Sequence, residues 1–105
     1  MNQERFAEGT VIGTGATINV KCGFKPRYVM VHNYTSANME SVEWWEGMPA
    51  AYGLKRKDST FSRLTSLGIS QYTGSDEDGG GQGFSIGADL DVNVNAEVMY
   101  WIAIR

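Results

Sequence analysis

The sequence predicts an all-β fold: one antiparallel β-sandwich, jelly-roll-like, of about six to eight strands. Three observations predict it. Short segments alternate apolar and polar residues with a period of two, and most end at glycine or proline. No segment sustains apolar residues at helical spacing, and 13 scattered glycines work against helix interiors. An apolar fraction of 42% with 20% charged residues is that of a chain that packs a core.

The strands are read in order. After a polar N-terminal arm, residues 1–9, and a turn at Gly13-Thr14-Gly15, the run Thr17 to Lys21 alternates. Arg27 to Asn33 is rich in β-branched and aromatic residues and follows Pro26. Val42 to Glu46 is short and ends at Gly47, and Ser62 to Tyr72 is a strand broken at Gly68. Gly83 to Gly87 is bounded by glycines. Glu97 to Arg105 is the strongest strand, with Val98, Tyr100, Ile102 and Ile104 on one face and Met99, Trp101 and Ala103 on the other. The first set is expected to fill the core, and the second makes the opposite face apolar as well, which asks for a cover. Met48 to Asp58, with Pro49 and Gly53, reads as a loop with room for one helical turn, and Asn33 to Glu40 as a polar turn region. Gly74 to Gly83 is an acidic, glycine-rich connection. The 105 residues form one domain, with no linker and no repeat.

Charge excludes some functions. The net charge of -3 argues against nonspecific nucleic-acid binding, which needs a cationic surface. Residues 1–75 carry a balance of +2 and residues 76–105 one of -5, so one end of the chain is acid-rich. Such a patch orients a partner more than it holds it. No apolar run is long enough for a membrane helix, and Met1 to Gly9 lacks a signal-peptide core, so a cytoplasmic site of synthesis is expected.

No catalytic constellation is expected. His32 is the only histidine and lies in an alternating strand, where a packed or hydrogen-bonded role is the expectation. Cys22 is the only cysteine, so no internal disulfide or thiolate zinc cage exists; it reads as a small packed hydrophobe. The acids Asp76-Glu77-Asp78 and the pair Asp89 and Asp91 could serve calcium as clustered oxygens, but no EF-hand spacing is present, and solvated turns are the expectation. Gly13-Thr14-Gly15 lacks the lysine of a phosphate loop. Asn33-Tyr34-Thr35 matches a glycosylation acceptor by chance. No cofactor and no metal site is expected.

The dipeptide Trp44-Trp45 is more informative. Neighbours on a strand face opposite ways, so both indoles cannot enter one core. Val42 and Trp44 are assigned inward, and Trp45 outward with Glu43. An outward Trp fits a contact hot spot or a ligand platform, with cover by the loop from Met48 to Tyr52 as the alternative. The expected interface set is Trp45, Met99 and Trp101, with Tyr52 and the basic run Lys55, Arg56 and Lys57. That run is either a solvated loop or a salt-bridging contact to an acidic neighbour.

Two stretches carry a resemblance. Gly23-Phe24-Lys25-Pro26-Arg27-Tyr28-Val29 resembles the entry segment of small tailed-phage virion proteins. Gly83 to Asn93, reading G-F-S-I-G-A-D-L-D-V-N, is similar to a downstream segment of the same proteins, and Tyr100 to Ala103 to their aromatic terminal strand. Among them the decoration or cement class, which clamps capsid shells, is nearest in size. Trp101-Ile102-Ala103-Ile104 is also similar to the end of H-type lectin sandwiches, but no sugar-binding set matches residue by residue, so that likeness implies fold rather than activity.

The resemblance implies a virion structural protein that decorates the capsid. Its partners would be the major capsid protein and itself, as homodimer or homotrimer, with neither nucleic acid nor membrane. It would sit in the virion after assembly in the host cytoplasm. The alternative is a carbohydrate-binding module, for example a tail-associated host-recognition protein that binds a glycan.

Overall fold

Strand β1 (Phe6–Ile12) lies at one edge of the sheet, paired antiparallel with β8 (Val98–Ile104) from Phe6↔Ile104 to Ile12↔Val98. The structure is a computed structural model and describes residues 6–35, 40–73, 81–89 and 91–105. The other strands are β2 (Ile18–Lys21), β3 (Tyr28–Asn33), β4 (Ser41–Trp45), β5 (Tyr52–Lys57), β6 (Thr60–Tyr72) and β7 (Gly83–Ile86). All pairings are antiparallel, in the order β1-β8-β3-β4-β5-β6-β7-β2. The chain is thus all-β and sandwich-like, with its two layers made from the two ends of one curled sheet.

The curl is made in β6. Its first half pairs with β5, from Thr60↔Lys57 to Leu64↔Gly53, and its second half with β7, from Ile69↔Ile86 to Tyr72↔Gly83. Between them the register jumps, so that Tyr52 faces Ile69 while Gly53 faces Leu64. Leu67 adopts a left-handed backbone (φ 63°) at this bend. At Gly68 a Cβ would lie 2.2 Å from the Tyr52 carbonyl oxygen, so only glycine fits. The bend swings β7 and β2 over the inner face of β8, β3 and β4.

The core fills the space between the layers. From the wide layer come Val29, Val31, Val42, Trp44, Met99, Trp101 and Ala103, and from the narrow layer Ile69, Phe84 and Ile86, all buried. Phe84 meets Trp101 edge-on, with ring centroids 5.3 Å apart. Phe24 and Val92 close the two ends of the core from loops.

Several expectations need correction. Residues 6–9, expected in the arm, join residues 10–12 in strand β1; Ala7, Gly9 and Val11 turn inward while Phe6, Glu8, Thr10 and Ile12 turn outward. Residues 52–57 are strand β5, not a loop with a helical turn. The faces of β8 are reversed: Met99, Trp101 and Ala103 are the core side, and Tyr100 (50% exposed) and Ile104 (41%) are outside. Both faces are apolar in sequence, so alternation alone could not choose between them. Gly9 makes the choice visible: a Cβ there would sit 2.9 Å from the Trp101 ring, so the indole lies against bare backbone. The break expected at Gly68 is present, and the inward Val42 and Trp44 are as expected. The acids at 76–78 lie outside the described residues.

Candidate functional site

Inner-face residues that sequence marks as chemical turn out to be fasteners. On β5, Gly53, Lys55 and Lys57 share the inner side with the 89–93 turn, while Leu54 and Arg56 point outward. The Lys55 ammonium donates to Asp89 Oδ2 at 3.1 Å and to Asp91, and Lys57 donates to Asp91 Oδ1 at 3.2 Å. Burial opposes the charge on Lys55, but the two carboxylates outweigh it and hold its pKa above the ordinary value. Lys55 in turn holds the Asp91 carboxyl below the usual carboxylate range. Asp89, only 9% exposed, also accepts the backbone N–H groups of Asp91 and Val92. Asp89 and Asp91 are therefore not solvated turn acids, and the basic run finds its acidic neighbour within its own chain. Among the described residues no group of three or more metal-binding side chains occurs.

Asn93 is a second fastener. Fully buried, it accepts the N–H groups of Thr14 and Gly15 at 2.9 and 3.2 Å, and donates to the carbonyls of Ala16 and Gly87 at 2.7 and 2.9 Å. The polar residues of the G-A-D-L-D-V-N stretch thus tie the β1–β2 turn and β5 to the core's rim. Asn33 is buried likewise and donates to the Val92 carbonyl and to Glu97, which closes it to glycosylation. Glu40 is 2% exposed, and its Oε1 finds no hydrogen-bond partner among the described residues.

The lone cysteine and the lone histidine are both half-buried. The Cys22 thiol donates to the Phe24 carbonyl at 3.3 Å, packs against the core, and is pushed up in pKa by burial. Burial, and then the charge of Arg56, hold the His32 imidazole below its ordinary value. Its ring lies 5.8 Å from that of Tyr34.

What remains is the outer face of the wide layer. Registers across the strands set its side chains in rows. One row runs Glu8, Ile102, Met30, Glu43, Leu54, Arg63. The next runs Thr10, Tyr100, His32, Ser41, Arg56, Phe61, and a shorter row runs Phe6, Ile104, Tyr28, Trp45. Exposures of 50% for Phe6, 56% for Ile12, 41% for Trp45, 50% for Tyr100 and 63% for Phe61 describe an apolar, aromatic face turned to solvent. Exposed aromatics gathered on one face, with charged residues among them, are the composition of a contact surface. Tyr28 braces it: its hydroxyl donates to Glu43 Oε2 at 2.5 Å and its ring meets Trp45 edge-on at 5.6 Å. Burial and that carboxylate push the Tyr28 pKa up to about 12. Over β1, β8 and β3 the face dips into an open groove of about 490 Å³ that includes Glu8, Thr10, Met30, His32 and Tyr100.

The expected interface residues divide accordingly. Trp45 and Arg56 are on this face. Met99 and Trp101 are core residues on the opposite side of the sheet, 0% and 9% exposed, and are not part of it. Lys55 and Lys57 are taken up by Asp89 and Asp91, and Tyr52 is half-buried where β5 meets the bend in β6. Sequence reasoning passed over Phe6, Ile12, Phe61, Tyr100 and Ile104. The period-two alternation of residues 6–12 was the signal for the first two.

No helix among the described residues is long and apolar enough to cross a membrane. No protein-family model, no curated protein and no solved structure matches the chain.

Proposed function

We propose that this chain is a non-catalytic structural protein that acts by binding, as a capsid decoration or cement protein of a tailed-phage virion. In this reading it is assembled onto the shell in the host cytoplasm and bridges copies of the major capsid protein. The observation that carries the binding reading is the outer face. Its aromatics, methionine and arginine are the residue types enriched where proteins meet, and the described residues leave it open to solvent. The virion assignment rests on the likeness of the stretches 23–29 and 83–93 to small virion proteins. The thiol bonded to a carbonyl, and the carboxylates neutralised by lysines, favour a binding role over a catalytic one. The decisive experiment compares particles assembled with and without the chain. Purified protein should rebind particles that lack it and raise their resistance to heat. Particles that neither contain nor take up the chain would sink the virion reading.

A second reading has one observation in its favour. The groove beside Tyr100 combines an aromatic surface with the hydrogen-bonding groups of Glu8, Thr10 and His32, which is the chemistry that holds a sugar ring. Retention on a glycan array with elution by free sugar, and no uptake by particles, would make the chain a carbohydrate-binding module.

A further inference from the structure

The outer face is polar at its two ends in opposite senses. Within the row that begins at Glu8, this residue stands on the edge strand β1 and Arg63 on β6, at the far side of the wide layer. Arg56, in the neighbouring row on β5, adds to the basic end. Between the ends the same row holds Ile102, Met30 and Leu54, together with Glu43, whose carboxylate accepts the Tyr28 hydroxyl. A surface that is acidic at one end, basic at the other and mainly apolar between them, with the Glu43 carboxylate held by Tyr28, is complementary to itself when turned round.

We propose that the outer face binds a second copy of this chain, face to face, about a two-fold axis parallel to the strands. The inference rests on the binding reading above and names the partner of that same face. Rotation about such an axis lays β1 of one copy over β6 of the other and keeps each row opposite itself. Glu8 then meets Arg63 of the second copy, Ile102 meets Leu54, and Tyr100 meets Arg56, a guanidinium over an aromatic ring. Each pairing occurs twice, as the symmetry of an isologous interface requires. The other face-to-face two-fold, perpendicular to the strands, lays β1 on β1 and β6 on β6, which sets acid on acid and base on base. Charge therefore selects the first axis. Twisted sheets packed face to face stay within roughly 30° of alignment, which keeps the row ends in the same neighbourhood. Strand spacing of about 4.8 Å and same-face spacing of about 6.8 Å give the face roughly 600 Å² in projection. Accessible area exceeds projected area, so the face approaches the roughly 800 Å² per partner of a standard interface.

The test is sedimentation of the full chain over a range of concentrations, with two charge reversals. The parent should show a reversible monomer–dimer equilibrium. Glu8→Lys and Arg63→Glu should each weaken it about tenfold, because each turns two attractive pairs repulsive. An equimolar mixture of the two variants should restore dimer, since lysine at 8 then faces glutamate at 63 and Glu8 faces Arg63. Both positions are exposed, and far-UV circular dichroism should show the parental fold. Tyr100→Asp, also at an exposed position, should abolish association. A parent that sediments as monomer throughout overturns the proposal, and so do reversals without effect. Binding to particles separates the two readings. A monomer that particles take up leaves the binding reading standing and sinks the self-interface, whereas a dimer of this behaviour that no particle takes up does the reverse for the virion reading.

Discussion

Two tryptophans one sheet apart illustrate how side-chain direction decides consequence. Trp101 is core, flat against Gly9 and edge-on to Phe84, whereas Trp45 is 41% exposed and braced by Tyr28. Trp101→Ala should cost about 3–5 kcal/mol of folding stability, the range for emptying a core aromatic. Trp45→Ala should cost under about 1 kcal/mol of folding stability while weakening association. Urea titrations below the dimer concentration range measure both, and equal losses would mean that the faces are misassigned. Lys55 is the other telling residue. Replacing it by methionine leaves Asp89, whose side chain is 12% exposed, beside Asp91 with no buried counter-charge. The expected loss is about 2–3 kcal/mol, because an orphaned pair of acids costs more than the pair with its lysine contributes. A Lys55→Met variant as stable as the parent would show that the cluster is dispensable.

At the level of elements, the bend in β6 decides the architecture. Without it the strands would form one open sheet with no second layer to cover Val31 and Val42. Gly68→Ala drives a methyl into the Tyr52 carbonyl, and the neighbouring backbone is itself pinned, with the Gly68 N–H bonded to the Ala51 carbonyl at 2.9 Å. The expected cost is about 2–3 kcal/mol, read as a lowered unfolding midpoint. A neutral Gly68→Ala would mean that the corner relaxes freely. The sequence marks this break by glycine alone, but it does not show that the strand resumes on the other side with new partners. β5 is hidden in the sequence for a related reason. Its residues Tyr52, Leu54 and Arg56 alternate with Gly53, Lys55 and Lys57, and two charged residues on the inner side look like a loop until Asp89 and Asp91 are brought beside them from more than 30 positions away.

For the whole molecule, stability should follow pH through five groups. The depressed His32 pKa means that the unfolded chain binds a proton more readily, so stability falls as pH drops below that group's ordinary value of about 6.5. Asp91 is depressed as well; its contribution is complete above about 4 and is lost as pH falls further. Lys55 is raised, so its contribution is complete below about 10.4 and is lost as pH climbs through its folded value. Cys22 and Tyr28 are raised as well, so their contributions are complete below about 8.5 and about 10 and are lost as pH climbs further. Denaturation midpoints should therefore be flat from about pH 7 to 8 and decline on either side. In Lys55→Met the alkaline decline should shrink, and the Asp91 part of the acid limb should shrink with it. An unchanged profile in that variant would dissociate the cluster from the pH response.

The sequence by itself determined the all-β class, most of the strands, the opposed directions of Trp44 and Trp45, and the packed role of Cys22. These depend on neighbours within a few residues, and period-two geometry makes them local. It also marked 83–93 as a special stretch, but not what its polar residues do. Tertiary structure alone decided which face of β8 is core, since both faces are apolar and only the bend in β6 brings Phe84 to Trp101. It likewise decided that Lys55 and Lys57 belong to Asp89 and Asp91, and that Phe6, Tyr28, Trp45, Phe61 and Tyr100, scattered along the chain, share one surface. Register across strands is a long-range property, fixed by burial of the sheet as a whole, and no window of sequence contains it.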